Sequence, residues 1–345
     1  MKTTGHRIHE WGGPLQWESF DIAEPQPGEV RIRVEACGIG LTVLNCIRGD
    51  LANDAAHLPR VPGHEIVGRV EACGPGVSSP SVGQRVMAYF YLVCGACEAC
   101  RSGHESRCRN LAGWVGVHRD GGYAPYTVLP ARNAIPLPES VPAAEATAIP
   151  DAIATSLHVC RTRAGVQADD RVAVIGAGGG VGIHMVEMAA LFGGRVAGLE
   201  ASERKFDAIR RMGGTPIPSA SFDAIDLTPV WGENQADVVI DLLGSRASTA
   251  WGTGALALGG RLVVLTTFRD VDVAVSPRDL VLRETTILGS RYASRGELVE
   301  AADLVASGKI HPVVSQVVPP ERIEDVHGAL REGTLVGRGA VDWNL

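Results

Sequence analysis

Residues Arg171–Glu200 read RVAVIGAGGGVGIHMVEMAALFGGRVAGLE, and this stretch decides the fold. It opens with a short apolar run, Val172–Ile175, of a length that suits a buried strand. A glycine turn follows: Gly176, Ala177, Gly178, Gly179, Gly180, Val181 and Gly182. A helical pattern comes next, with Val181, Met185, Met188 and Ala189 on one face. A second strand, Val196–Leu199, ends in the acid Glu200. Strand, glycine turn, helix and strand make the unit that holds a dinucleotide. Glycines let the backbone approach the pyrophosphate, and a helix N-terminus offers it free N–H groups and partial positive charge. The run carries one residue more than the strict G-x-G-x-x-G spacing. A glycine-rich turn of some other α/β protein is the bland alternative, and the flanking strand, helix and terminal acid weigh against it. Glu200 lies 18 residues beyond Gly182, where a carboxylate grips the two ribose hydroxyls and repels a 2′-phosphate. The expected cofactor is therefore NAD(H).

On the C-terminal side, apolar strands continue to alternate with helical segments, at Val238–Ile240 and Leu262–Leu265. That alternation predicts an α/β doubly wound parallel sheet. A helix over Arg295–Ser307, a Pro-bounded segment His311–Pro320 and a last helix near Ile323–Arg331 then form a tail expected to pack back on the first domain. On the N-terminal side the chain reads differently. Val30–Val34 alternates apolar and charged after a Pro/Gly turn, and strand signals recur after Pro62-Gly63 and at Gly83–Val86. Short strands with Gly/Pro punctuation predict a β-rich, barrel-like domain. The expected division is residues 1–154 with 292–345 against 155–291.

The cysteines carry the most specific signal. Cys94, Cys97, Cys100 and Cys108 follow a C-x2-C-x2-C-x7-C spacing, in a lobe expected over about 90–112. Four thiolates so placed close a tetrahedral Zn²⁺ shell with no open position, which makes the ion structural. An iron–sulfur cluster or free thiols are the alternatives, and cluster ligand runs have somewhat different spacing. The opening MKTTGHRIHEWGG has no apolar signal region, so a cytoplasmic protein is expected, and in that reducing compartment the cluster reads as metal ligands rather than disulfides. Composition agrees with an ordinary globular chain of 345 residues, 45% hydrophobic and 21% charged. A net charge of −7 gives no basic field for nucleic acid or an anionic membrane, and no apolar run approaches a bilayer span.

A four-cysteine knuckle, a Gly63-His64-Glu65 strand and a dinucleotide unit, in the order found here, resemble the zinc-containing alcohol dehydrogenase branch of the medium-chain dehydrogenase/reductase superfamily. The resemblance covers nearly the whole chain. It implies a GroES-like β-barrel catalytic domain, a Rossmann cofactor domain and a homodimer or homotetramer acting on a small molecule. It implies further that His64 is a ligand of a catalytic zinc and that Glu65 sits beside that metal. Asp151 matches a third ligand, Thr155 a threonine beside the nicotinamide, and Thr42 the hydroxyl that passes the substrate proton. Arg338, in Val336-Gly337-Arg338, resembles an arginine that contacts cofactor phosphates.

One departure stands out. The family motif is Cys-Gly-Ile-Cys-Gly-Thr-Asp, and its second cysteine is a zinc ligand; here that position is Gly40, with Val43 and Asn45 farther on. Cys37 cannot substitute, because three extended residues span roughly 10 Å and the odd offset turns its side chain to the other face. Cys46 lies beyond the motif. Two readings follow. In one, His64, Glu65 and Asp151 hold a catalytic zinc that polarises an alcohol or carbonyl oxygen. In the other the site is metal-free, and the enzyme reduces an activated C=C bond with Thr42 or His64 donating to the enolate. A non-catalytic binding or sensor protein is a third class, disfavoured by the intact glycine turn. Each residue also has a plain reading: His64 as a bonded strand histidine, Asp151 as a helix cap, Thr42 as a strand or turn threonine, and Cys37 and Cys160 as buried small residues.

Overall fold

A computed structural model describes residues 1–266 and 271–345. In chain order its strands are β1 Lys2–Arg7, β2 Gln16–Asp21, β3 Glu29–Ile39, β4 Glu65–Cys73, β5 Arg85–Ala88, β6 Tyr126–Pro130 and β7 Ala134–Pro136. Then come β8 Arg171–Ile175, β9 Arg195–Glu200, β10 Gly214–Pro218, β11 Ala236–Asp241, β12 Leu256–Val264 and β13 Thr286–Gly289. The last two are β14 Val314–Val318 and β15 Arg338–Asp342. Two units contain them. One comprises Met1–Asp151, Ala293–Gly308 and Pro312–Leu345, and the other Ala152–Tyr292 with Lys309–His311.

The first unit is built around β3. It pairs antiparallel with β4, β6 and β15, in a seven-stranded sheet ordered β14-β15-β3-β4-β5-β7 with β6 alongside β3. A long strand can serve three partners because its neighbours use different stretches of its two edges. β4 and β15 flank its C-terminal end, and β6 takes the place of β15 toward its N-terminal end. The C-terminal strand β15 is thus hydrogen-bonded into the sheet begun by the N-terminal residues. Buried Val30, Ile32, Val34, Ile66, Val67, Val86 and Leu129 fill the interior of this unit.

One local expectation is corrected here. Thr42 lies in neither strand nor turn but in the first turn of a helix, Leu41–Arg48. Gly40 precedes that helix in extended conformation, and Gly49 ends it at φ 81° with its N–H on the Asn45 and Cys46 carbonyls. Val43, Leu44, Cys46 and Ile47 make its buried face, a three-and-four spacing that marks an amphipathic helix.

In the second unit, six strands in the order β10-β9-β8-β11-β12-β13 form a wholly parallel sheet. Numbered by sequence within the sheet this is 3-2-1-4-5-6, the doubly wound arrangement, with β8 at the reversal of strand order. The glycine turn leaves β8 at that point. Its helix runs Gly182–Leu191, with Met185, Met188 and Ala189 fully buried and Val181 at the cap. The core beneath contains Ile175, Leu199, Val239, Leu256 and Leu262.

The extra glycine-turn residue is absorbed before Gly182. A Cβ there would collide with the Gly176 carbonyl oxygen, so it is at Gly182 that the helix closes on the strand end. Gly182→Ala should therefore lower the unfolding free energy by about 1–3 kcal/mol, through overpacking, and weaken NADH binding. Urea unfolding and NADH fluorescence titration measure the two effects. Unchanged values for both would show that the close approach is dispensable.

Candidate active site and metal centres

The four knuckle cysteines converge as their spacing predicts. Sγ of Cys94 lies 3.5 Å from that of Cys108 and 3.9 Å from that of Cys100. Cys97 Sγ lies 3.5 Å from Cys100 Sγ and 3.9 Å from Cys108 Sγ. Sulfurs about 2.3 Å from a tetrahedral zinc stand about 3.8 Å apart, so the set fits that ion. Backbone N–H groups of Ala96 and Cys97 donate to Cys94 Sγ and lower its pKa to about 6, which favours the thiolate a metal needs. The Cys94 N–H in turn donates to Cys108 Sγ at 3.4 Å.

His64, Glu65 and Asp151 form a second cluster, within the first unit. One ligand atom from each lies within 4.8 Å of the others, and all three residues are buried. Gly63 takes φ 92° and delivers His64 to the start of β4, so that Glu65 follows on the strand itself. Asp151 comes from the helical turn Ile149–Ile153. His64 Nε2 is 3.7 Å from Glu65 Oε1 and 3.8 Å from Asp151 Oδ2. That nitrogen is buried and has no hydrogen-bond partner among the described residues. A buried imidazole nitrogen aimed between two carboxylates is a donor set suited to a divalent ion. The Phe90 ring packs 4.6 Å from the imidazole, a neighbour that sequence reasoning did not identify.

Arg338 enters the same cluster. Its Nε donates to Glu65 Oε2 at 3.1 Å, and its Nη2 pairs with Glu65 Oε1 and lies 3.2 Å from Asp151 Oδ2. Burial pushes its pKa down to about 10, which leaves it charged at neutral pH. The sequence had suggested cofactor phosphates for this arginine; within its unit its partners are these two acids. Cys37 and Cys46 are both buried, and burial pushes both thiols upward.

In the second unit, Glu200 ends β9 with its carboxylate turned back to the glycine turn. Gly178 N–H donates to Oε2 at 2.9 Å and Ser202 N–H to Oε1 at 3.1 Å. Lys205, five residues on, is buried, and its aliphatic chain occupies the space beside Gly178. It is a further neighbour of the turn that the sequence reading passed over. Thr155 is buried in the helix Ala154–Leu157, and Cys160 Sγ rests 3.5 Å from Met185 Sδ in the interior.

Replacing Cys97 or Cys100 by Ser should remove one zinc per chain and lower the melting temperature by roughly 5–10 °C, because closed-shell binding is coupled to folding. Metal analysis and a thermal melt test this. Unchanged zinc content in both variants would contradict a structural ion at the knuckle.

Residues 26–139 match the alcohol dehydrogenase GroES-like domain, and residues 180–307 match the zinc-binding dehydrogenase domain. An alcohol dehydrogenase of Geobacillus stearothermophilus is 30% identical, over 96% of this chain and 97% of its own. An acryloyl-coenzyme A reductase of Sulfurisphaera tokodaii is 27% identical, over 94% of this chain and 96% of its own. Among solved structures, an NAD-dependent alcohol dehydrogenase is similar with TM-score 0.90 and 30% identity, over 98% of this chain and 99% of that one. Matches of that extent, on a chain with a four-cysteine cluster and a doubly wound cofactor sheet, have one meaning: this protein belongs to the zinc-containing alcohol dehydrogenase family.

Proposed function

We propose that the protein is an NAD(H)-dependent oxidoreductase that interconverts an alcohol and an aldehyde or ketone by hydride transfer. The observation that carries this reading is the convergence of His64, Glu65 and Asp151 on one buried point, with the His64 nitrogen left for a ligand. Those three residues would hold a catalytic zinc, which when bound supplies a Lewis acid for the substrate oxygen. Thr42, at the start of its helix, takes and passes the hydroxyl proton of the alcohol. Glu200 presents a carboxylate, already oriented by the Gly178 and Ser202 N–H groups, to the ribose hydroxyls. Thr155 positions the nicotinamide end. The N-terminus of the helix at Gly182 and the turn residues Gly176, Gly178, Gly179, Gly180 and Val181 receive the pyrophosphate. Arg338, which pairs with Glu65 and Asp151, would take the phosphate-facing role that the family resemblance assigns to it once an ion displaces it from those acids.

A second reading is a C=C reductase of the same fold, favoured by the absence of a ligand side chain at Gly40. It would need no metal, since the carbonyl of an enone or enoyl thioester withdraws the electrons, and Thr42 or His64 would donate to the enolate. We further propose a cytoplasmic homodimer or homotetramer. Its eight free cysteines, four of them gathered as thiolate ligands, suit a reducing compartment. No helix among the described residues is long and apolar enough to cross a membrane.

NADH oxidation measured over aldehydes, ketones and enones separates these readings. Ketones or aldehydes should be the better substrates, and an exclusive response to enones would overturn the alcohol reading. The same assay with NADPH should give a kcat/KM lower by about tenfold or more, and Glu200→Ala should narrow the gap. A preference for NADPH would refute the role given to Glu200.

A further inference from the structure

Gly40 and Arg338 meet at the edge of the sheet. β15 pairs antiparallel with β3 as far as Gly339↔Ile39, and Arg338 and Gly40 are the residues next to that last pair. On the other edge, Glu65 of β4 pairs with Gly38. Gly38, in β3, and Gly40, just beyond its end, are two apart and both lack a side chain. Glu65 and Arg338 occupy the space at these two positions and meet there. A Cβ at Gly40 would collide with Nη1, Cζ and Nη2 of Arg338, and a Cβ at Gly38 with the Glu65 carboxylate. The space in which a side chain at position 40 would stand is filled by the guanidinium.

The same two oxygens serve two purposes. Glu65 Oε1 and Asp151 Oδ2 are the atoms that, with His64 Nε2, outline the metal position. They are also the atoms that Arg338 Nη2 engages. A zinc ion would stand about 2 Å from each of its ligands, leaving no room for the guanidinium nitrogen between those oxygens. Two cations repel strongly in a buried site, so one excludes the other. We propose that the Arg338 guanidinium is the resident cation of the His64–Glu65–Asp151 cluster, and that a divalent ion binds there only by exchange with it. The proposal rests on the reading of these three residues as the catalytic metal site. Ion loading is then a swap of one positive group for another. Gly40 makes the swap possible by giving the guanidinium its place.

The test is metal binding without cofactor or substrate. Wild type, Arg338→Met, Arg338→Lys and Gly40→Ala are prepared with the knuckle filled by zinc and dialysed against a weak chelator. Each is then titrated with Co²⁺, followed by its visible ligand-field absorption and by metal analysis. Wild type and Arg338→Lys should retain one ion per chain and bind cobalt weakly. Arg338→Met, which removes the cation, and Gly40→Ala, which denies it the space, should bind the second ion about 10–100-fold more tightly. Should Arg338→Met fail to fold, Gly40→Ala decides alone, because it keeps the charge and its extended backbone accepts alanine. Wild type that binds cobalt as tightly as the variants, or keeps two ions through dialysis, overturns the proposal. Loss of the expected alcohol turnover alongside the expected titrations would instead overturn the reaction and leave the exchange standing.

Discussion

Two carboxylates buried side by side repel one another unless a cation stands between them or they take up a proton. Glu65 is fully buried and Asp151 nearly so, and both face the same point. Breaking a buried pair by removing one partner costs about 3–5 kcal/mol, far more than the pair adds relative to an apolar replacement. Much of the first unit is arranged to meet this requirement. β15 must lie against β3 to deliver Arg338, β4 must begin at Glu65, and the turn at Ile149–Ile153 must bring Asp151 beneath them. Three segments remote in sequence are tied at one point by charge, and the hydrophobic packing around them keeps water from relieving the demand.

The two metal-competent clusters differ in how they meet their charge. The knuckle draws on thiolates from a single short loop, with backbone N–H groups pointed at the sulfurs, and its geometry is local. The second cluster draws on three distant segments and contains a guanidinium. An ion in the first adds folding energy directly, because all its ligands lie within one turn-rich lobe. An ion in the second takes the place of a guanidinium that already stands between the two acids. The chemistry proposed for this family member needs that second position to admit a substrate oxygen, and a site that is open and exchangeable is compatible with that need.

Most of the fold was legible because its signals are local. The glycine turn, the apolar runs that became β8, β9, β11 and β12, and the cysteine spacing each encode their own geometry. The helix at Leu41–Arg48 was equally readable from Val43, Leu44, Cys46, Ile47 and the cap at Gly49, but the sequence reading assigned no helix there. The site was legible only in part. His64, Glu65 and Asp151 were found by resemblance, and the gap at Gly40 was visible as a missing ligand. What fills that gap was not. Arg338 reaches Gly40 through the register of β15 on β3, a pairing between strands almost 300 residues apart that no local pattern specifies. Phe90 and Lys205 were missed for the same reason: their importance lies in proximity across the fold, and each alone is an ordinary residue.

The long separation between Glu65 and Arg338 sets an order of events at the ribosome. The guanidinium is made 273 residues after the carboxylate it neutralises, which at bacterial or eukaryotic elongation rates is about 14–55 s later. During that interval Glu65 lacks the guanidinium that neutralises it, so closing β3 and β4 over its ionised form carries an uncompensated desolvation cost. The second unit, contiguous but for three residues, is under no such delay and can fold while the chain is still growing. The middle of the polypeptide can thus settle before β15 is made, whereas the corner around Glu65 is completed only with that strand.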